Sequence, residues 1–294
     1  MQLDPGWCGI WAISVFGRRA GLRCKKLPDC SGMLVARVYR RGMNDRPIAL
    51  VTGASKGIGA ATALAFAKAG YDVGVNYLSD EAGAAAVVAR CKDVGAKAVA
   101  VHANVAHRSA VAEMFDTCDR TLGPVACLVN NAGIIGGSAA VTSVSEEALA
   151  GAFATNVFGT IYCLQEAAKR MRTDLGGAGG SIVNMSSIAA ILGSPGEYVH
   201  YAASKGAVET VTIGAGKELG PLGIRVSAIR VGTTNTDLHA REGNPERPAA
   251  VAAATPLGRI AEASDIAEAA VWLASPKAAF VSGTVLTVAG GLLP

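Results

Sequence analysis

The chain has few aromatic residues and no metal-binding or disulfide pattern. Only 5% of its 294 residues are Phe, Trp or Tyr, although 51% are hydrophobic and 36 are glycine. Its four histidines form no H-E-x-x-H motif, and its seven cysteines include no C-x-x-C pair. These absences argue against a metal site and against a disulfide framework. An odd number of scattered cysteines favours a reducing compartment, and we expect a cytoplasmic protein.

The chain also lacks a long apolar run and a basic stripe along its body. The apolar stretch Trp7–Phe16 is too short to span a bilayer, and no Lys or Arg precedes it as in a secretory signal. Nine Lys or Arg against three Asp give residues 1–46 a net charge of +6, whereas 18 basic and 20 acidic residues give the rest −2. We therefore expect no membrane partner and no nucleic-acid partner.

The first 46 residues differ in kind from the rest, because they sustain neither a helical nor a strand period. Met43 stands immediately before the first predicted strand. We expect residues 1–46 to be a basic leader that is disordered or reflects a start site set too far upstream. Residues 47–294 are expected to form a single domain.

From Pro47 onward, short β-branched runs alternate with alanine-rich helical segments, which is typical of a doubly wound parallel sheet. Strands are predicted at Ile48–Thr52, Asp72–Tyr77, Ala98–Ala103, Ala126–Asn130, Ser181–Met185, Ile224–Arg230 and Val285–Val288. Helices are predicted at about Gly57–Ala69, Asp80–Val94, His107–Leu122, Glu146–Thr173, Tyr201–Leu219 and Ser264–Ala274. Right-handed crossovers then predict a Rossmann-type α/β fold, a seven-stranded parallel sheet with helices on both faces.

A glycine loop follows the first predicted strand and leads directly into a helix. Thr52–Gly59 has the spacing G-x-x-x-G-x-G. Glycines at these positions let the backbone approach a pyrophosphate, which then lies at the positive N-terminus of the helix. Within a strand–loop–helix unit the motif predicts a dinucleotide site.

Charges near this loop favour NADP(H) over NAD(H). No carboxylate occurs at the end of the second predicted strand, from Val75 to Ser79, and the first one after it is Asp80. A carboxylate at that strand end would bind the ribose 2′-OH of NAD and repel a 2′-phosphate. Lys56 adds an ammonium to the glycine loop, where it could meet that phosphate.

Tyr201 and Lys205 form the pattern Y-x-x-x-K at the start of a predicted helix. Spacing of i,i+4 puts both side chains on one helix face. A nearby ammonium favours phenolate and lowers the tyrosine pKa from its ordinary value of about 10, so the pair could exchange a proton with a carbonyl oxygen. The same spacing also arises by chance on helices, with a packed ring and an exposed amine.

Other polar residues cluster at the carboxyl ends of predicted strands, where open α/β sheets bind ligands. Ser186 and Ser187 follow one strand, and the N-N-A-G sequence of Asn130–Gly133 ends another. Asn156 lies in the helix that comes next.

Taken together, these motifs resemble the classical short-chain dehydrogenase/reductase family over Pro47–Gly291. The resemblance implies that Tyr201 is the acid/base and that Ser187 polarises the substrate carbonyl. It implies that Lys205 binds the nicotinamide ribose and lowers the tyrosine pKa, while Asn156 positions a water of a proton relay. The cofactor contacts that it implies, together with those predicted from the loop and strand ends, are Gly53, Ser55, Lys56, Gly57, Ile58, Gly59, Asn76, Asn104, Val105, Asn131, Ala132, Gly133, Tyr201, Lys205, Gly232, Thr234 and Thr236.

The chain departs from the family pattern at three cofactor positions. Val231-Gly232 replaces Pro-Gly after the sixth strand, and Asn104 replaces an aspartate after the third. The C-terminal motif Val288–Gly291 lacks the usual aspartate. The first two changes are expected to weaken cofactor binding or alter its preference.

Two functions remain open at this point. One is an NAD(P)-dependent oxidoreductase that acts on a small carbonyl or alcohol substrate; the other is a non-catalytic NADP(H)-sensing regulatory protein on the same fold. The segment Thr233–Pro256 is rich in charged and amide residues, so it predicts a lid over a polar substrate, and the residues before Tyr201 resemble both sugar-type and 3-oxoacyl members. We expect a homo-oligomer, tetramer or dimer, paired through the helices Glu146–Thr173 and Tyr201–Leu219.

Overall fold

The computed structural model describes residues 46–236 and 247–293, which belong to one compact unit, Gly42–Pro294. Residues 1–45, 237–246 and 294 lie outside the described residues. The predicted leader, apart from Arg46, and the middle of the predicted lid therefore fall outside them.

Seven parallel strands form one sheet in the order β3-β2-β1-β4-β5-β6-β7. The prediction of a seven-stranded, doubly wound parallel sheet is confirmed. The order reverses direction between β1 and β4, and such a switch point opens a crevice beyond the carboxyl ends of the strands. The strands are β1 (Ile48–Val51), β2 (Asp72–Tyr77), β3 (Ala98–His102), β4 (Val125–Asn130), β5 (Gly180–Ser187), β6 (Ile224–Val231) and β7 (Thr284–Val288).

The helices of the described residues cover both faces of this sheet. They are α1 (Gly57–Lys68), α2 (Glu81–Asp93), α3 (Arg108–Thr121), α4 (Glu146–Phe153), α5 (Gly159–Met171), α6 (Ala189–Leu192), α7 (Val199–Leu219), α8 (Arg247–Ala254) and α9 (Ala263–Ala274). Successive β1 residues alternate between two hydrophobic clusters, because a strand points alternate side chains to opposite faces. Val51 packs with Phe66 and Ile266 of α1 and α9, and Leu50 packs with Phe115 of α3.

The helix predicted at Glu146–Thr173 differs from the structure in two ways. It ends at Met171, because Arg172 has extended backbone angles. A π-helical turn, Ala154–Phe158, also separates α4 from α5. Such turns are rare and often mark functional sites, and this one contains the predicted site residue Asn156. Helical periodicity does not reveal the extra residue of a π turn, so the sequence predicted one uninterrupted helix.

Strand β5 is longer than predicted and includes both Ser186 and Ser187. The extension follows from pairing with β6, whose Arg230 and Val231 lie opposite the two serines. As neighbours in a strand, the two serines point to opposite faces of the sheet. Pairing therefore separates two hydroxyls that the sequence presents side by side.

Candidate active site

A cleft of about 260 Å³ opens at the carboxyl edge of the sheet, above the switch point between β1 and β4. One end is lined by the glycine loop and by Gly232, Thr233, Thr234 and Thr236, which follow β6. The other end is lined by residues that follow β4 and β5 and by the first turn of α7. Strands on both sides of the switch point therefore contribute to one cavity.

The glycine loop has a backbone that other residues would not adopt without strain. Gly53 and Gly57 have φ angles of +60° and +56°. A Cβ at Gly53 would lie 2.9 Å from the Cα of Ala132, and one at Gly59 would clash with the Gly53 carbonyl. The loop therefore packs directly on the segment after β4 and leaves the N-terminus of α1 open.

Thr52 and Asn131 tie this loop to the end of β4. The Asn131 Nδ2 donates to the carbonyls of Thr52 and Gly53, both at 2.9 Å. The backbone N–H groups of Asn131 and Ala132 donate to Thr52 Oγ1 at 3.0 Å. Thr52 was not among the predicted site residues, although its place at the head of the glycine motif was a signal for it.

Asn76 lies beneath the glycine loop and is not among the residues that line the cleft, and its predicted contact with the cofactor stays a prediction. Its side chain is 2% exposed. Its Oδ1 accepts from the Gly53 N–H at 3.1 Å, and its Nδ2 donates to the carbonyls of Val101 and Ala103, both at 3.1 Å. Asn76 therefore holds the loop in position against β3.

Asn104 and Val105 are likewise not brought to the cleft. The Asn104 Oδ1 accepts from the Ala106 N–H at 3.0 Å and closes a turn after β3. Val105 is buried, and its Cγ2 would lie 2.9 Å from a Cβ at Gly159. Val105 therefore packs against the start of α5, and the cofactor contacts predicted for this pair stay predictions.

The segment after β6 faces the glycine loop across the cleft. The Gly232 N–H donates to the Val288 carbonyl at 2.9 Å, and the Thr234 Oγ1 donates to the Gly232 carbonyl at 3.0 Å. The Thr236 methyl carbon lies 3.5 Å from the position that a Cβ at Gly57 would take. Val231, which replaces a proline of the family pattern, ends β6, so pairing with Val288 takes the place of the rigid turn.

Ser187 and Tyr201 meet at the centre of the cleft. Both side chains line the cleft, and the Ala189 N–H donates to Ser187 Oγ at 3.2 Å. Desolvation raises the pKa of Tyr201 above its ordinary value of 10, and the Ser187 hydroxyl partly offsets this. Ser187 on β5 and Tyr201 on α7 therefore lie together in the cleft.

Lys205 lies one turn further along α7, and its effect on the pKa of Tyr201 stays a prediction. Its Nζ donates to the Met185 carbonyl at 2.7 Å and lies 5.7 Å from the centre of the Tyr201 ring. Desolvation lowers the pKa of the Lys205 ammonium from 10.5 to about 8. Because the Lys205 amine is buried, desolvation determines the direction of its own pKa shift.

Asn156 is fully buried in the π turn and supports the residues behind the cleft. Its Oδ1 accepts from the Ile134 N–H, and its Nδ2 donates to the Ile134 carbonyl and to Ser204 Oγ, each at 2.9 Å. A Cβ at Gly133 would lie 3.2 Å from Asn156 Oδ1 and 3.4 Å from Lys205 Nζ. The missing side chain at Gly133 thus lets Asn156 and Lys205 approach each other.

Ser186 belongs to a different network. Its hydroxyl donates to Glu209 Oε1 at 2.8 Å. Glu209 forms a two-point ion pair with Arg230, at 2.9 Å and 2.7 Å, and Arg230 donates to Thr287 Oγ1 at 3.0 Å. This network joins α7 to β5, β6 and β7 beneath the cleft. Sequence reasoning missed Glu209, although its i,i+4 spacing from Lys205 put it on the same helix face.

The comparisons with known proteins agree with this geometry. The family model described as enoyl-(acyl carrier protein) reductase matches residues 53–293. An uncharacterized oxidoreductase, YgfF of Escherichia coli K12, is 45% identical over 244 residues, which cover 83% of this chain and 99% of the relative. The chain belongs to the short-chain dehydrogenase/reductase family. The resemblance inferred from the sequence motifs is confirmed.

Two solved structures of this family's fold are similar over most of the chain. A 7α-hydroxysteroid dehydrogenase complexed with NADH and 7-oxo glycochenodeoxycholic acid has a TM-score of 0.78 and 33% identity, covering 84% of this chain and 94% of its own. A blue fluorescent protein from a metagenomic library, in complex with NADPH, has a TM-score of 0.77 and 31% identity, covering 85% and 99%.

In this short-chain dehydrogenase/reductase, the predicted site residues fall into two groups. Those that line the cleft are Lys56, Gly57, Ile58, Gly59, Asn131, Gly133, Ser187, Tyr201, Lys205, Gly232, Thr234 and Thr236. Those that do not line it are Gly53, Ser55, Asn76, Asn104, Val105, Ala132 and Asn156. Most of the second group packs behind the cleft wall and supports residues of the first.

Residues 46–236 and 247–293 hold neither a metal-binding cluster nor a membrane-spanning helix. No three His, Cys, Asp or Glu side chains in these ranges are grouped to hold a metal ion. No helix in the same ranges combines the length and the apolar character needed to cross a bilayer.

Proposed function

We propose that the protein is an NADP(H)-dependent oxidoreductase that interconverts a small carbonyl compound and its alcohol, with Tyr201 as the acid/base. One observation carries the proposal: Ser187, Tyr201 and Lys205 line one cleft together with a dinucleotide-type glycine loop. Nothing observed favours a non-catalytic sensor, since Ser187, Tyr201 and Lys205 all line this cleft.

The residues at the glycine loop fit a bound dinucleotide. Gly53 and Gly57 keep a positive φ, and Gly59 has no room for a Cβ, so the backbone leaves an open approach to the N-terminus of α1. Anions bind at such helix ends. The similar structures in complex with NADPH and with NADH support a nicotinamide cofactor here. When bound, the nicotinamide supplies or accepts a hydride.

The protein's own residues handle the substrate oxygen. Burial keeps the Tyr201 phenol protonated at neutral pH, which is the form that donates a proton to a carbonyl oxygen during reduction. Ser187 donates a second hydrogen bond to the same oxygen and stabilises the charge that develops on it. In oxidation Tyr201 accepts the proton of the alcohol.

Lys205 and Asn156 act behind this pair. The buried Lys205 ammonium would hold the ribose of a bound nicotinamide cofactor, and it would offer positive charge beside the phenolate that forms when Tyr201 gives up its proton. Both Nδ2 hydrogens of Asn156 are used by protein groups, so its amide positions the Ile134 backbone and the Ser204 hydroxyl. Any water of a proton relay would bind through other groups of this segment.

Lys56 supports a preference for NADP(H). It is exposed at the start of α1 and lines the cleft, and its ammonium makes no hydrogen bond or ion pair with the rest of the described chain. No carboxylate follows β2 before Asp80, whose side chain instead accepts from the Gly83 N–H at 3.0 Å. An unpaired ammonium facing the cofactor end suits a 2′-phosphate.

We also propose a cytoplasmic homo-oligomer, a tetramer or a dimer. Leu149, Phe158 and Ile213 are 46%, 49% and 40% exposed on α4, the π turn and α7, which are the segments expected to pair. Burying such side chains between subunits would stabilise an oligomer. Sedimentation of the full chain, compared with a Phe158→Glu variant, tests this, since a monomeric wild type would contradict it.

The decisive experiment follows NADPH absorbance with a panel of carbonyl compounds. Tyr201→Phe is expected to lower kcat at least about 100-fold, because removal of a general acid costs that much. Tyr162→Phe makes the same chemical change on α5, away from the cleft, and is expected to keep wild-type activity. Undiminished turnover by Tyr201→Phe would overturn the mechanism, and a wild type inactive with every carbonyl and alcohol would favour the sensor.

A further inference from the structure

The cleft continues past Ser187 and Tyr201 into a region that the cofactor contacts do not use. This region is bounded by the residues after β4, the short helix α6 and the turn before α7. We name it the apolar wall and define it by four cleft-lining residues, Ile134, Ile188, Leu192 and Tyr198. It is the part of the described cleft left for the substituents of a substrate whose oxygen meets Tyr201.

Two aliphatic side chains of the apolar wall are exposed within the cleft. Ile134 is 42% exposed and Leu192 is 50% exposed, and they enter from different segments of the chain. The Tyr198 ring packs edge-to-face on Tyr201, with ring centres 6.0 Å apart and planes at 82°. Large apolar groups that converge around a catalytic hydroxyl indicate a ligand-binding surface, because soluble proteins rarely expose such groups together without a ligand to cover them.

Charged side chains are missing from this end of the cleft among the described residues. The charged residues that line the described cleft are Lys56 and Lys205. Lys56 stands at the glycine loop, and Lys205 donates to the Met185 carbonyl. Apart from the catalytic hydroxyls, the polar side chains that line this end are Asn131, Ser186, Ser194 and Tyr198. Asn131 donates to the Thr52 and Gly53 carbonyls, and Ser186 donates to Glu209. A polyhydroxylated substrate needs a paired partner for each buried hydroxyl, and these residues supply few.

The apolar wall is also held in place by backbone hydrogen bonds. The Gly193 N–H donates to the Ala189 carbonyl at 2.8 Å, and the Tyr198 N–H donates to the Ser194 carbonyl at 3.1 Å. Ser194 adopts a φ of +45°, a conformation that serine rarely takes. Strain of this kind persists only where the surroundings enforce it, so Leu192 and Tyr198 lie on a preformed surface.

We propose that the apolar wall binds a hydrocarbon or aryl substituent on the carbonyl carbon, so that the substrate class is an apolar ketone or its secondary alcohol. This inference rests on the proposed oxidoreductase function. Reduction adds a hydride to the carbonyl carbon and a proton from Tyr201 to its oxygen, leaves the nicotinamide oxidised, and returns a proton from solvent to Tyr201. The composition of Thr233–Pro256 favoured a polar substrate, but residues 237–246 of that segment lie outside the described residues.

A homologous series of methyl ketones, each one methylene longer, tests the proposal with NADPH as the other substrate. Each methylene that reaches the apolar wall is expected to raise kcat/KM about three- to fourfold. An aldose assayed in parallel is expected to have a lower kcat/KM than the longer ketones. A kcat/KM that does not change with chain length would overturn the proposal.

Leu192→Asn and Ile191→Asn form a matched pair for the same series. Ile191 is 57% exposed on the same short helix but does not line the cleft. Leu192→Asn is expected to flatten the dependence on chain length, Leu192→Met to restore it, and Ile191→Asn to leave it unchanged. Equal slopes for Leu192→Asn and wild type would overturn the proposal.

The same assays separate failure of this inference from failure of the proposed function. A wild type that reduces aldoses better than the longer ketones overturns the apolar substrate class and leaves the oxidoreductase assignment intact. A wild type that acts on no ketone, aldose or alcohol with either cofactor overturns both. Unfolding midpoints of the Leu192 and Ile191 variants show whether they fold as the wild type does.

Discussion

The Nζ of Lys205 lies 5.7 Å from the centre of the Tyr201 ring and donates its hydrogen bond to the backbone carbonyl of Met185. The ammonium is therefore held close to the phenol without pairing with it. The two groups respond to burial in opposite directions, because the charged form of lysine and the neutral form of tyrosine are the protonated ones. The pKa of Lys205 falls to about 8, and that of Tyr201 rises.

The depressed pKa of Lys205 predicts a stability difference that depends on pH. Between pH 8 and 10.5 the unfolded chain binds the lysine proton more than the folded protein does, so the free energy of unfolding rises with pH. Relative to Lys205→Met, wild type is expected to gain up to about 3 kcal/mol over this interval.

Urea unfolding of both proteins from pH 7 to 10.5 measures this difference. Burial also raises the pKa of Tyr201 and of the cysteines Cys91, Cys118, Cys127 and Cys163, which lowers stability at high pH. These contributions are common to wild type and variant and cancel when the two are subtracted. A pH-independent difference would contradict the prediction.

Ser186 and Ser187 are expected to respond oppositely to the same substitution. Ser186→Ala removes a donor from the buried Glu209 carboxylate and is expected to cost about 1–2 kcal/mol of stability while keeping most activity. Ser187→Ala is expected to change stability by less than about 0.5 kcal/mol and to lower kcat at least about 100-fold. Denaturation and steady-state kinetics on both variants test this pair, and activity loss confined to Ser186→Ala would reverse the assignment.

Lys56→Ala is expected to weaken NADP(H) binding and leave NAD(H) binding nearly unchanged. Loss of one charge-assisted contact to the 2′-phosphate predicts a roughly tenfold higher Kd for NADPH. Lys68→Ala removes the same charge from the other end of α1 and serves as the control. Fluorescence titration of the three proteins with both cofactors is the measurement. An equal loss for NADPH and NADH would disprove a role for Lys56 in cofactor preference.

Gly193→Ala and Gly206→Ala are expected to change stability in opposite directions. A Cβ has open space at both positions, so the backbone conformation alone determines how the substitution changes stability. Gly193 has a φ of +71° before the strained Ser194, and alanine there is expected to cost about 1 kcal/mol. Gly206 lies within α7, where alanine is expected to stabilise by about 0.5–1 kcal/mol. Chemical unfolding at one pH compares them, and the same sign for both would contradict the argument.

Local sequence was sufficient for the sheet, the helices around it and the glycine loop. Strand ends agreed with the structure within two residues, because β-branched runs bounded by glycine leave few alternatives. The choice of Ser187 over Ser186 as the candidate catalytic serine came from family spacing, and their opposite orientations on β5 agree with it. The order of the motifs along the chain was therefore sufficient to predict the family and the fold.

Features that depend on contacts between distant segments were not predictable in the same way. The π turn at Asn156 follows from an amide that bonds to Ile134, 22 residues away, and the role of Asn76 follows from carbonyls on β3. The sign of the Tyr201 pKa shift depends on how completely its surroundings exclude water. Spacing along one helix says which side chains share a face, whereas desolvation is a property of everything packed around them.

The sequence by itself determined that a tyrosine, a serine and a lysine would meet beside a dinucleotide loop, because parallel strands bring their carboxyl ends to one edge. Only the tertiary structure decided which of the predicted residues line the cleft and which lie behind it. Asn76, Asn104 and Val105 were drawn behind the cleft by their own hydrogen bonds and packing, and Ile134 and Leu192 were left facing into it. The exposure of a residue, and the donors and acceptors that it has left without a partner, depend on its neighbours in three dimensions. The position of the residue in the chain does not specify those neighbours.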